Sequence, residues 1–152
     1  MVLTQILECE CIKVPLAGSN KESVITELVN LLDANGRLTD KDDVLQSILS
    51  RENTRSTGIG SGIAIPHGKC KGVKDLVMAM GISHKGVDFQ SIDSKPVHIV
   101  VLLASPMDRT GPHIQALARI SRLMLDEEFK NKLQNAQSAQ ELYDLINEKE
   151  TE

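Results

Sequence analysis

The sequence predicts a three-layer α/β/α sandwich, a mixed and mostly central β-sheet flanked by helices. Three observations lead there. Residues 97–103 are apolar at nearly every position, so neither face of that strand meets water, and such a strand belongs in the middle of a sheet covered on both sides. Helical periodicities occupy both ends of the chain, and strand patterns lie between them. No repeat, low-complexity tract or Pro/Gly/Ser-rich linker interrupts the 152 residues, so one domain spanning residues 1–152 is expected.

The elements follow in order. Residues 10–16 read as a short strand, which Pro15 confines to an edge or to its own end. Ser19 and Glu22 have capping-box spacing ahead of Val24, Ile25, Leu28, Val29 and Leu32, with Gly36 as a stop. A second helix begins near Thr39, with Asp40, Asp42 and Asp43 in its first turn and Val44, Leu45, Ile48 and Leu49 facing inward. Residues 51–62 lose this period and become rich in glycine. Ile63, Ala64 and Ile65 form a short strand ended by Pro66-His67-Gly68. Residues 76–82 are a strand, 83–86 a turn and 97–103 the central strand. From Thr110 onward the pattern is helical: Ile114, Leu117, Ile120 and Met124 form one inward stripe, Phe129 and Leu133 a second, and Leu142, Leu145 and Ile146 a third.

Composition excludes several classes. The formal net charge of -4 gives no basic field for nucleic acid or anionic lipid, and two Phe, one Tyr and no Trp leave little for base stacking. No apolar run approaches the roughly 18 residues of a membrane span, so direct membrane insertion is not expected. Residues 1–16 lack the pattern of a signal peptide, and three irregularly spaced cysteines (Cys9, Cys11, Cys70) do not form a disulfide framework. A reduced, cytoplasmic setting is expected.

The richest stretch runs from Arg51 to Lys69. Gly58, Gly60 and Gly62 permit backbone angles closed to other residues and leave amides open to an anion. A strand follows, then a proline that fixes the chain just before His67. This presents an imidazole rigidly beside a loop holding Arg51 and Arg55. Neutral imidazole, with an ordinary pKa of about 6.5, is a competent nucleophile near pH 7. Phosphoryl transfer needs chiefly positioning and charge neutralisation. Two familiar phosphate loops are excluded by counting. Gly62 stands one residue too far from Gly68-Lys69 for a P-loop, with Cys70 where Ser or Thr is required. A dinucleotide fingerprint from Gly58 would need glycine at Ile63.

Glu52, Ile59-Gly60 and Ile63-Ala64-Ile65-Pro66-His67-Gly68 together resemble the signature of phosphotransferase-system enzyme IIA domains of the fructose/mannitol/nitrogen type. The resemblance covers roughly residues 4–148. It implies that His67 is phosphorylated by the phosphohistidine of the carrier protein HPr, that Arg51 assists, and that His113 is the second histidine of the site. It also implies an acceptor, either a IIB partner or, in the nitrogen-type branch, a regulatory target protein. No cofactor is expected.

Each of these residues also has a plainer reading. His67 fits a turn histidine without a role, and Arg51 a solvated cation favourable to the dipole at the end of the second helix. His113 falls in register with Leu117, Ile120 and Met124, as a core histidine would. Alternatively, with Thr110 as N-cap and Pro112 in the first turn, it sits at a helix N-terminus suited to phosphate. His98 reads as structural and His84 as exposed in a turn. His67 with Cys70, and Cys9 with Cys11, do not make a recognised zinc spacing, so no metal site is expected.

Overall fold

The computed structural model describes residues 2–152. Its middle is an antiparallel pair, β5 (Val77–Val87) and β6 (Val97–Ser105). β1 (Leu7–Lys13) lies parallel to β5 at one edge. On the far side of β6, β3 (Ile63–Ala64) and β4 (His67–Lys69) both run parallel to it, and β2 (Gly58–Gly60) pairs antiparallel with β3. The order is β1-β5-β6-β3-β2, with β4 beside β6, a mixed sheet as expected.

Period-two alternation on the central strands builds two cores. Ile99, Val101 and Leu103 of β6, with Met78, Met80 and Ile82 of β5, pack under α3 (Thr110–Leu123), α4 (Glu127–Gln134) and α5 (Ala139–Glu150). Val100, Leu102 and Ala104 face the other way, with Val77 and Ala79, against α1 (Lys21–Ala34) and α2 (Lys41–Thr54). Each fully buried Val, Leu, Ile or Met side chain contributes about 1.5–3 kcal/mol, so β6 is the most heavily anchored strand of the sheet. The apolar pattern of residues 97–103 has this cause, and the three-layer expectation holds.

The helix that carries His113 is tied down at its far end. Glu150 has a side chain only 2% exposed, accepts the backbone N–H of Leu3 (2.6 Å) and Thr4 (3.1 Å), and receives Arg119 Nε of α3 at 3.2 Å. One buried carboxylate thus joins the chain's start, α3 and α5.

Several local expectations need correction. β1 is shifted towards the N-terminus and ends before Pro15. The capping box of α1 is Asn20 with Ser23, not Ser19 with Glu22, because Asn20 Oδ1 accepts the Ser23 N–H at 2.9 Å. α2 is capped by Asp40, and Leu45 and Leu49 are half-buried at the margin of its core. Residues 83–86 are not a turn: β5 continues to Val87 across a register irregularity between Ile82 and Val87, and edge positions there face solvent. His84 is exposed as expected, with Nε2 at 3.0 Å from the Ala136 carbonyl, and His98 lies with Nδ1 at 2.8 Å from the Ser83 carbonyl. Ile114 is 59% exposed, since the buried stripe of α3 runs through His113, Ala116, Ile120 and Leu123.

Candidate active site

His67 occupies the first position of β4, opposite Leu103 of β6. Pro66 contributes its carbonyl to the Leu103 N–H at 3.0 Å, and Ile65 donates its N–H to Thr57 O at 3.1 Å, so the backbone before His67 is bonded on two sides. The ring is held as well. Nδ1 lies 2.7 Å from the Ile65 carbonyl, which accepts only, so Nδ1 carries the proton and Nε2 keeps its lone pair. The ring is half-buried, not sealed, and borders a cleft of about 270 Å³ shared with Arg51, Arg55, Thr57, Ile65 and Leu117. Burial pushes the His67 pKa below the ordinary imidazole value; the Ile65 hydrogen bond opposes this, Arg51 adds to it and Glu52 opposes it. The ring is therefore neutral near pH 7.

Arg51 stands in the last turn of α2, and its Nη1 donates to the Arg55 carbonyl at 2.8 Å, which holds the guanidinium at the mouth of the cleft. A cation in that last turn complements the helix dipole, as the plainer reading of Arg51 expects. The loop beyond Arg55 is pinned by Glu52. This buried carboxylate accepts the Thr57 N–H at 3.1 and 3.2 Å and pairs with Lys21 Nζ at 3.3 Å. The glycine stretch, by contrast, is not an open anion cradle. Gly60, Ser61 and Gly62 all have positive φ and close the β2–β3 hairpin. The Gly58 amide is taken by Ser56 Oγ and the Ser61 amide by Asp93 Oδ2.

His113 lies in the first turn of α3, with its N–H given to the Arg109 carbonyl at 3.0 Å. The N-cap is Arg109, without a side-chain bond, and not Thr110. Thr110 Oγ1 instead accepts Lys69 Nζ at 2.7 Å. The His113 and His67 ring centroids are 5.5 Å apart with planes tilted by 56°. His113 is 5% exposed, and its Nδ1 sits 2.6 Å from Ser105 Oγ. Burial, then the neighbouring His67 and Lys69, hold its pKa down to about 4. His113 is thus buried, as a core histidine would be, and it lies beside the other imidazole in the first turn of a helix.

His67, Arg51 and His113 are therefore brought to one end of the sheet, where β4 and β6 finish side by side. Three neighbours escaped the sequence reading. Lys69 was findable, since i and i+2 of a strand share a face. Glu52 belonged to the family signature without a stated task. Ser105 continues the Ile99, Val101, Leu103 face of β6 as a polar residue on an otherwise apolar strand, and only that parity marked it. Among the described residues, no group of three or more His, Cys, Asp or Glu side chains is placed to hold a metal ion.

The fold and this end of it define a class: an α/β/α sandwich presenting two neutral imidazoles and a guanidinium at the edge of a mixed sheet. A sequence model of the family described as "Phosphoenolpyruvate-dependent sugar phosphotransferase system, EIIA 2" matches residues 5–149, and the chain belongs to that family. The chain is 40% identical over 148 residues to the fructose-specific EIIABC component of Bacillus subtilis, covering 97% of this chain but 23% of that longer protein. It is 33% identical to the fructose-specific EIIA component of Haloferax volcanii, over 96% of this chain and 95% of that one. The crystal structure of the nitrogen regulatory protein IIA-Ntr of Neisseria meningitidis superposes with a TM-score of 0.86 at 29% identity, covering 95% and 98% of the two chains.

Proposed function

We propose that this chain is a cytoplasmic phosphocarrier that takes a phosphoryl group from phospho-HPr on Nε2 of His67 and passes it to a IIB partner. The observation that carries the reading is the Nδ1–H to Ile65 bond, which leaves the Nε2 lone pair as the ring's free nucleophile in a cleft shared with Arg51. In the forward step, Nε2 forms a bond to phosphorus as the P–N bond to the donor imidazole breaks, and that imidazole leaves with the electron pair. The positive charge that the His67 ring acquires is shared with the Ile65 carbonyl through Nδ1–H. Arg51 neutralises the oxygens of the transferring group, and His113 offers them a hydrogen bond. In the onward step, a cysteine thiolate of the IIB partner attacks phosphorus and Nε2 leaves with its electrons.

Among the described residues no helix is long and apolar enough to cross a membrane, which suits a carrier that diffuses between partners. Incubation with phosphoenolpyruvate, enzyme I and HPr is the test. The expected result is one acid-labile phosphate, absent from His67→Ala; incorporation that survives that substitution refutes the assignment.

A second reading changes the acceptor and not the chemistry. The close superposition with IIA-Ntr over nearly the whole chain favours a regulatory protein whose phosphorylated and free forms bind different targets. Transfer from the phosphorylated chain to a IIB domain separates the two. Efficient transfer supports the carrier, and a stable phosphoprotein that no IIB discharges supports the switch.

A further inference from the structure

Ser105 is the last residue of β6 and is fully buried. Its backbone is fixed twice: it pairs with Lys69 of β4, and its carbonyl accepts the Cys70 N–H at 2.9 Å. Its side chain lies on the α3 side of the sheet, 2.6 Å from Nδ1 of His113. Among the described residues, this contact with His113 is the one hydrogen bond that Ser105 Oγ makes.

A neutral imidazole has one N–H and one lone pair, and a serine hydroxyl has one proton to place. If Nδ1 held the ring proton and donated to Oγ, the buried hydroxyl proton would point at nothing. If the hydroxyl donates to Nδ1, both groups are satisfied and the ring proton moves to Nε2. Nε2 is then an N–H donor, with the His67 ring centroid 5.5 Å from its own. In the other tautomer Nε2 would present a lone pair, which repels phosphoryl oxygens.

We propose that Ser105 is a positioning residue that locks His113 as the Nε2–H tautomer, making it a hydrogen-bond donor to the phosphoryl group carried by His67. The inference rests on the phosphohistidine reading for its purpose, but its structural half stands apart from that reading. It also explains why a histidine fits a buried site: its apolar body fills the stripe of α3 while its two nitrogens have separate tasks, Nδ1 bonded to Ser105 and Nε2 left for the phosphoryl group.

Long-range proton–nitrogen NMR of the histidine-labelled full chain near neutral pH reads the tautomer directly, and needs no variant. The expected result is one His113 ring with its proton on Nε2. Ser105→Ala should yield mixed tautomers and a phosphoryl uptake from phospho-HPr slowed roughly tenfold, while Ser105→Thr, which restores a hydroxyl, should recover both. A wild-type His113 protonated on Nδ1 overturns the proposal, and so does a Ser105→Ala ring that keeps the wild-type tautomer and rate. If the tautomer is as stated but wild-type His67 takes no phosphate, it is the functional reading that fails, and the donor role with it.

Discussion

Acidification tests the burial of His113 without reference to any partner. Its pKa is held at about 4 in the fold, against about 6.5 in an unfolded chain. Between these values the unfolded state binds a proton that the folded state refuses, so stability falls as pH falls; it is flat above about 6.5 and flat again below about 4. Taken at face value, this window costs about 2 kcal/mol at about pH 5 and about 3 kcal/mol at about pH 4. Part of the downward pull, however, comes from a charged His67, whose own pKa is also lowered and which is largely neutral at the upper end of the window. The expected loss at about pH 5 is therefore nearer 1–2 kcal/mol.

The perturbation is His113→Gln, which keeps a polar side chain beside Ser105 but cannot titrate. Urea denaturation of both proteins from about pH 7 to about pH 4 gives stability differences free of the carboxylates. Asp93 and Asp126, whose pKa values are lowered by hydrogen bonds to Ser61 N–H and to Lys149 respectively, lose stability in acid in both proteins alike. The gap between the two stability curves should close by about 1–2 kcal/mol as pH drops from about 7 to about 5, because only the wild type must refuse a proton. Curves that stay parallel over that range refute the claim that His113 is buried neutral.

Three further substitutions probe the frame around the site. Glu52→Gln removes the charge that Lys21 and the Thr57 amide share inside the protein, and should lower stability by about 1–3 kcal/mol in thermal or urea unfolding. On the proposed phosphocarrier reading it should also slow phosphoryl uptake, since the loop from Arg55 to Gly58 loses its anchor. Gly72→Ala places a Cβ 2.3 Å from the Asp40 carbonyl, on backbone already bonded to Thr39 and Asp40, and should cost about 1–3 kcal/mol. By contrast, Gly111→Ala in the open first turn of α3 should leave stability unchanged or raise it by about 0.4–1 kcal/mol.

The layers were legible because their signal is redundant. The 14 positions of α1 need not all agree for it to be read, only Val24, Ile25, Leu28, Val29 and Leu32, and all five are buried. The 97–103 run announced its own place in the sheet. What failed were decisions made by one or two side chains. Asn20 outcompeted Ser19 for the cap, since either residue type accepts a helix N–H. β5 ran on past Ile82 because pairing with β6 resumes at Val87 opposite Val97, which makes residues 83–86 an irregularity within the strand and not its end. The inward stripe of α3 passed through His113 and not Ile114, because a rotation of one position moves the face by 100° and only the docking of α3 on β6 decides it. His67 stood out by its place after a proline at the end of a strand, and Arg51 by the family resemblance. Ser105 was not, because its partner lies beyond a chain reversal whose geometry no local pattern carries.

The site's precision depends on β6 more than on the loops that surround it. His67 takes its position from β4, which is registered on β6 at Leu103, Ala104 and Ser105. His113 takes its ring orientation from Ser105, at the end of the same strand. The separation of the two imidazoles is thus measured along a strand buried on both faces. Ile59 and Ile92, by contrast, stand exposed at the rim of the cleft and off that strand. A protein that must receive a group from one partner and give it to another meets two demands, a fixed reacting geometry and a tolerant surface. In this chain the strand that spaces the rings and the exposed rim are different segments, the division that the proposed carrier role calls for.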